Sequence, residues 1–133
     1  MADELGTFNE KDTPVYYGLI KDHAGAVVDL TAADSLTLTL YEESTEAVVN
    51  SRTAQNVKNA NGVTVYATAQ SVTIDGVAIS YNLIWPTTIA DNAIIGTRSL
   101  EKHIGVFTAI WSSGTKRSTH EVSWLIRNLT KVS

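Results

Sequence analysis

Three histidines are the first residues in this sequence that could bind a metal or act as a general base. His23 lies in a polar stretch typical of a turn, His103 lies in a long connection, and His120 lies near the start of the last apolar run. Metal sites place histidines at spacings such as i, i+4 on a helix or two apart on a strand, and these three show neither spacing. We therefore interpret them as surface or half-buried side chains.

The carboxylates and the nucleophile motifs give no stronger candidate for catalysis. Glu42, Glu43 and Glu46 lie close together, but no Asp-x-Asp-x-Asp-Gly run supplies the ordered oxygen ligands of a calcium loop. The chain has no Gly-x-Ser-x-Gly elbow and no Gly-Lys-Ser/Thr phosphate loop, and "SSGTKRS" at 112–118 has those residue types in another order. Carboxylates that converge only in space, as in a small hydrolase, stay open as an alternative.

The composition of the chain excludes several classes of function. The chain has 133 residues, which predicts one domain, and its 44% of hydrophobic residues is enough to bury a core. The absence of cysteine excludes disulfides, thiol catalysis and thiolate metal sites. Together with the lack of a histidine, carboxylate or nucleophile motif, it leads us to expect no enzyme activity, no cofactor and no metal. A formal net charge of -4 gives no basic footprint for nucleic acid. No apolar run is long enough to span a membrane, and "MADELGTFNE" at 1–10 lacks the features of a signal peptide.

Three tryptophans are the remaining candidates for binding, because their rings can stack on sugars or anchor an interface. Trp124 shares a strand face with Val122 and Ile126, which favours a place in the core. Trp85 ends an alternating apolar run, and Trp111 ends another run just before a turn. Trp111 is therefore the tryptophan that we expect at an interface.

The elements that must position these residues are strands. In "DSLTLTLYE" at 34–42, Leu36, Leu38 and Leu40 alternate with polar residues, which is the pattern of a strand with one buried face. Similar alternation at 62–69 and 77–85, a hairpin at 14–30 and a final hairpin at 105–129 bring the total to about seven or eight short strands. No segment has the length and period of an amphipathic helix. The pattern predicts an all-β, antiparallel sandwich or barrel.

Two segments fall outside this strand pattern. Residues 1–12 are polar, and we expect a flexible N-terminal arm that precedes a β-sandwich domain at 13–133. The connection from Pro86 to Gly105 is long, and long loops in compact domains are often functional. It carries the apolar residues Ile94, Ile95 and Leu100, so we expect it to pack against an apolar surface.

The final hairpin is apolar on both faces, which indicates that one face meets the long loop or a partner subunit. Phe107, Trp111 and Leu125 belong to its second apolar set. We predict a protein–protein interface formed by this set and the long loop, with the residues Phe107, Trp111, Ile94, Ile95, Leu100 and Leu125.

Two stretches carry a resemblance to a known family. They are "LIKDHAGAVVDLTAADSLTLTLYE" at 19–42 and "GVFTAIWSSGTKRSTHEVSWLIRNL" at 105–129, about half of the chain. Their Lys-Asp-x-x-Gly turn, Val-Asp-Leu-Thr segment and closing aromatic strand pair resemble the immunoglobulin-like β-sandwich proteins of tailed-phage virions, including the N-terminal domain of baseplate upper proteins. The Pro86 to Gly105 loop is longer than the short Pro-Gly connection usual in that family.

The resemblance implies an immunoglobulin-like sandwich that serves as a non-enzymatic virion component of the tail, neck or baseplate. It also implies synthesis in the host cytoplasm and a homo-oligomer that contacts other virion proteins, with neither nucleic acid nor membrane as a partner. The alternative is a binding module for a host-surface glycan or for capsid decoration.

Overall fold

Eight strands and three short 3-10 turns make up the chain in a computed structural model, which describes residues 3–129. None of the helical turns in that range is long and apolar enough to cross a membrane. The strands are β1 (Asp3–Asn9), β2 (Val15–Gly18), β3 (Ser35–Glu42), β4 (Gln55–Asn56), β5 (Thr64–Ile74), β6 (Val77–Pro86), β7 (Leu100–Trp111) and β8 (Lys116–Arg127), and the 3-10 turns are Leu30–Ala32, Ala90–Asn92 and Ser112–Gly114.

The strands form two sheets. The larger sheet has the order β1-β8-β7-β3-β4, and the smaller has the order β2-β6-β5. All pairs are antiparallel except β1 with β8, which is parallel. This arrangement confirms an all-β, sandwich-like fold.

The core lies between the two sheets. Leu36, Leu38 and Leu40 of β3 are each fully buried, so the alternation predicts the buried face of this strand correctly. Trp85 of the smaller sheet packs edge-on against Phe107 and Trp124 of the larger sheet, with ring centroids 5.7 and 5.5 Å apart. Aromatic pairs of this geometry add to the stabilisation that comes from buried area alone.

The segment expected to be a flexible arm instead contains an edge strand. β1 pairs with β8 from Asp3 to Asn9, and its register shifts between Glu4 and Thr7. Gly6 lies at this shift with a φ of 119°, and Leu5 and Phe8, three residues apart, both pack against the core. A strand with a bulge hides the period of two, which explains why the sequence pattern missed it.

Two further boundaries differ from the sequence predictions. The segment 14–30 is not a regular hairpin, because β2 pairs with β6 and only one isolated bridge, Lys21 to Val27, joins its two halves. The long loop is shorter than expected and spans 87–99. β7 begins at Leu100 because it pairs with β8 from that residue onward.

Candidate interaction surface

A two-stranded ribbon projects from the smaller sheet. It consists of residues 70–81, in which the ends of β5 and β6 pair from Gln70 with Tyr81 to Ile74 with Val77. Asp75 and Gly76 connect the strands and both have positive φ, 51° and 79°, as a type I′ hairpin turn requires. Four residue steps at the spacing of a β-strand give the ribbon a length of about 13 Å.

Neither edge of the ribbon has a neighbouring strand within the described residues. β2 pairs with β6 only between Leu83 and Pro86, so β6 has no partner besides β5 along the ribbon. β5 is the terminal strand of its sheet. An isolated two-stranded hairpin is marginally stable in water, so the ribbon gains stability if something covers it.

One face of the ribbon is an apolar stripe that is open to solvent. The stripe consists of Val72, Ile74, Val77 and Ile79, which pair directly across the two strands. Val77 is 61% exposed and Ile74 is 37% exposed. The opposite face carries small and polar residues, Ser71, Thr73, Ala78 and Ser80. The ribbon is therefore amphipathic, and its apolar side is exposed at the tip and half-buried at Val72 and Ile79.

The apolar stripe continues into a cluster of tyrosines at the base of the ribbon. Tyr81 lies on the same face as Ile79 by strand alternation. Its ring meets Tyr17 and Tyr66 edge-on, with centroids 5.1 and 5.7 Å apart. The stripe and the tyrosines form one extended surface of the kind that is enriched at protein interfaces.

The ribbon lacks the residues that usually protect an exposed edge. Natural proteins prevent unwanted strand pairing with lysine, proline or inward-pointing charges on edge strands. Residues 70–81 contain no proline, no lysine and no arginine, and their only charged residue is Asp75 in the turn. The edges are thus left free to contact a partner.

A second candidate surface is a cleft of about 540 Å³ between the segment 22–29 and the β7–β8 turn. Its apolar lining comes from Val27, Val28 and Trp111. The indole nitrogen of Trp111 donates a hydrogen bond to the carbonyl of Asp29, at 3.0 Å, which joins the two walls. We call this region the β7–β8 cleft.

The charges of the β7–β8 cleft are divided between its two walls, with Asp22 and Asp29 on the segment 22–29 and Lys116 and Arg117 at the start of β8. Asp22 accepts hydrogen bonds from the backbone N–H groups of Ala24 and Ala26, and these bonds lower its pKa. Asp29 likewise accepts hydrogen bonds that hold the next turn. Lys116 and Arg117 are exposed, and neither forms an ion pair within residues 3–129.

The long loop is fixed to the body by a buried ion pair. Arg52 Nε lies 2.6 Å from Asp91 Oδ1, and both side chains are almost fully buried. Asn50 also donates to Asp91 Oδ1, and the Thr88 N–H donates to Oδ2. Burial alone would raise the pKa of Asp91, but the hydrogen bonds from Arg52, Asn50 and Thr88 outweigh it and lower the pKa. These bonds hold the loop in one conformation.

A second buried pair secures the end of the same loop. Glu101 accepts hydrogen bonds from the N–H groups of Ile95 and Gly96, at 3.2 and 2.6 Å. His103 Nε2 lies 3.1 Å from Glu101 Oε1, and His103 Nδ1 lies 3.0 Å from the carbonyl of Asp91. His103 is therefore engaged in structural hydrogen bonds and has no access to solvent.

Phe107, which was predicted at an interface, lies in the core. Its side chain is fully buried and its ring lies against Tyr16 and Trp85 inside the core. β7 lies between β3 and β8 in the larger sheet, so the apolar face that carries Phe107 is covered by the smaller sheet of the same chain. Phe107 therefore has no surface left for a partner.

Trp111 lies far from the other predicted interface residues, whereas Leu100 and Leu125 are diagonal neighbours on one face of β7 and β8. Ile95 and Leu100 are exposed, 41% and 43%, whereas Ile94 packs partly against the core. Trp111 lies in the β7–β8 cleft, at the opposite end of β7 from Leu100. Eleven residue steps along β7 put these two ends about 37 Å apart. Leu125 is half-buried and lines a smaller surface depression on β8.

The ribbon is the feature that the sequence reasoning did not identify as a candidate. A signal is present in the sequence, because Asp75-Gly76 between two alternating runs is typical of a hairpin turn. The strands have 11 and 10 residues, longer than the usual five or six. Length alone, however, does not reveal which part of a strand lacks a covering layer.

Comparisons of the chain with protein-family models, with curated proteins and with solved structures found no match. Among residues 3–129, no group of three or more histidine or acidic side chains is placed to hold a metal ion. The ribbon and the β7–β8 cleft are consequently the features from which a function must be argued.

Proposed function

We propose that this chain is a non-enzymatic structural component of a tailed-phage virion, located in the tail, neck or baseplate. In this proposal it acts through protein–protein contacts in a multimeric assembly that includes copies of itself. The observation that carries the proposal is the ribbon, whose apolar stripe and two free edges are exposed in the single chain. Exposed apolar patches rimmed by polar residues are typical of protein interfaces.

The positions of the two stretches that resemble virion proteins support this proposal. β3, from the first stretch, pairs with β7, from the second, between Ser35 and Glu42. The segment before β3 also meets the end of β7 through the hydrogen bond from Trp111 to Asp29. The two stretches thus form one contiguous part of the fold, as expected if they derive from a common module.

We further propose that the sandwich-like fold is of the immunoglobulin-like class. Two packed sheets of mostly antiparallel strands around Trp85 and Trp124 support this assignment. An experimentally determined structure, superposed on immunoglobulin-like domains of virion proteins, tests it. A strand connectivity that cannot be superposed would contradict the assignment.

Analysis of purified virions tests the virion proposal directly. We expect mass spectrometry to find the chain in particles, and a reconstruction of the particle to show Ile74 and Val77 buried against a neighbouring subunit. Absence of the chain from particles, when infected cells contain it, would contradict the proposal. Presence with a solvent-exposed ribbon would contradict the role of the ribbon.

One observation favours a second candidate, a binding module for a host-surface glycan. Trp111 is half-buried in the β7–β8 cleft beside Ser112, Thr115 and Lys116, and an aromatic ring with polar neighbours is suited to a sugar. A glycan array with the native chain and with Trp111→Ala tests this candidate, and Trp111→Phe is the control that keeps an aromatic ring. Binding that the alanine variant loses and the phenylalanine variant retains would favour the glycan module over the structural role.

A further inference from the structure

We propose that the tip of the ribbon of one copy binds in the β7–β8 cleft of a second copy. This inference rests on the proposed function and deepens it, because it names the partner and the surface that the ribbon contacts. Both surfaces lie within the described residues, and neither is covered by another part of the chain.

The first argument is apolar complementarity. The tip presents Ile74 and Val77, which pair directly and point to the same side. The cleft offers Val27, Val28 and Trp111 on its lining, and its volume of about 540 Å³ falls in the range of roughly 300 to 1,000 Å³ that is typical of ligand clefts. Contact between the two would remove from water the most exposed apolar side chain of the ribbon.

The second argument is charge. Asp75, in the turn at the tip, is the one charged residue of the ribbon. Lys116 and Arg117 form no ion pair within residues 3–129 and make the β8 wall of the cleft positive, whereas Asp22 and Asp29 make the opposite wall negative, so Asp75 is expected to contact the β8 wall. Opposite charges on two apolar surfaces favour one orientation of docking and suppress others.

The third argument is position. Asn82, at the base of the ribbon, donates hydrogen bonds to the carbonyls of Ile20 and Val28, so the ribbon emerges beside the segment that forms one wall of the cleft. Ser118, on the other wall, donates to the carbonyl of Lys21. Because the ribbon and the cleft lie at the same end of the molecule, two copies related by a two-fold axis can exchange ribbons reciprocally. Two-fold contacts of this kind are the most common in homo-oligomers.

Disulfide trapping between two copies tests the proposal, and the native chain contains no cysteine to interfere. One preparation carries Val77→Cys at the tip, and a second, of different mass, carries Val27→Cys in the cleft. We expect the mixture to form the mixed disulfide under mild oxidation. Thr73→Cys, on the polar face of the ribbon, is the matched control and should form much less of the mixed disulfide with Val27→Cys.

Charge reversal gives a second measurement that does not depend on cysteine. We expect Asp75→Lys to raise the dissociation constant of self-association at least tenfold, as measured by analytical ultracentrifugation. The double variant Lys116→Glu and Arg117→Glu should have the same effect. All three substitutions in one chain should restore association, since the opposite charges face each other again. Because the three side chains are exposed, the variants are expected to remain folded.

The outcomes separate this inference from the proposed function. If Val77→Asp abolishes self-association, but no mixed disulfide forms and charge reversal does not restore association, the ribbon contacts another surface and the cleft assignment is wrong. A native chain that stays monomeric would overturn the second copy as partner, as would a glycan that occupies the cleft through Trp111. The virion proposal itself fails only if particles lack the chain or display the ribbon uncovered.

Discussion

Hydrogen bonds from neighbouring hydroxyl and amide groups allow Glu42 to be ionised in a buried position. Its carboxylate accepts bonds from the N–H and hydroxyl groups of Ser44 and Thr45, in the turn that follows β3. Burial alone would raise the pKa of Glu42, but these bonds outweigh it and lower the pKa from 4.5 to about 2. The local sequence Glu-Glu-Ser-Thr thus stabilises the turn through one side chain.

Glu42→Gln should destabilise the protein in a pH-dependent way. The pKa of Glu42 is lower in the folded than in the unfolded chain, so its ionisation stabilises the fold above pH 4.5, and this contribution is lost as the pH falls towards about 2. We expect the difference in free energy of unfolding between native chain and variant to be largest near neutral pH and to shrink across that interval. Urea unfolding at several pH values measures it. Glu43→Gln, at an exposed position, is the control, and an unchanging difference would contradict the prediction.

The buried pair of Arg52 and Asp91 is a second determinant at the residue scale. Asp91→Ala leaves the guanidinium of Arg52 buried without its carboxylate, and we expect a loss of about 3–5 kcal/mol in the free energy of unfolding. Chemical denaturation measures the loss. Glu4→Ala, at an exposed position, should change it by less than about 0.5 kcal/mol. A small effect at Asp91 would show that the pair does not anchor the loop.

At the scale of elements, the ribbon and the long loop differ in how firmly they are attached to the rest of the chain. The connection from Pro86 to Gly105 was expected to take part in an interface, but polar side chains of the loop at 87–99 bond to Arg52 and Trp124 and hold it against the body. The ribbon has no such anchors beyond its tyrosine base and exposes the apolar stripe. The ribbon therefore has apolar side chains available to bind a partner.

Shortening the ribbon should separate folding from association. Deletion of residues 71–74 and 77–80 keeps the Asp75-Gly76 turn and removes no residue of the buried core. We expect the free energy of unfolding to change by less than about 1 kcal/mol, as for surface changes, while self-association is lost. Circular dichroism with light scattering measures both. The double variant Ser71→Ala and Thr73→Ala is the control for the polar face, and a deletion variant that still associates would contradict the role of the ribbon.

At the scale of the whole molecule, the two sheets form a closed core, and exposed apolar side chains lie both on the ribbon, as at Val77, and on the long loop, as at Ile89. Trp85 and Trp124 lie in the centre of that core, and β1 adds Leu5 and Phe8 to its margin. The ribbon and the β7–β8 cleft both lie at the end where β2 meets the segment 20–28. A single chain therefore presents both halves of a contact with another copy.

Thermal unfolding should depend on protein concentration if copies associate through this end. A partner that binds only the folded chain raises the unfolding temperature by mass action, so we expect the midpoint to rise with concentration. Val77→Asp should remove the dependence, whereas Thr73→Asp, on the polar face, should retain it. Differential scanning calorimetry over a wide concentration range measures the effect. A midpoint that does not depend on concentration in the native chain would contradict association.

The sequence by itself determined the strand content and much of the face pattern. Period-two alternation at Leu36, Leu38 and Leu40 identified a buried face correctly, and the final hairpin at 105–129 matches β7 and β8. Both are local properties, since alternation and turn residues act within a few positions of the chain. Pairing of β1 with β8 was missed, because Gly6 breaks the period.

Only the tertiary structure decided which apolar faces are covered. Val77 and Ile79 continue the same alternating run as Leu83 and Trp85, yet the first pair lies on the exposed ribbon and the second pair is in or beside the core. The same reasoning failed for Phe107, which looked like an interface residue but is fully buried. Burial depends on contacts between strands that are distant in the chain, and local periodicity carries no information about where a covering sheet ends.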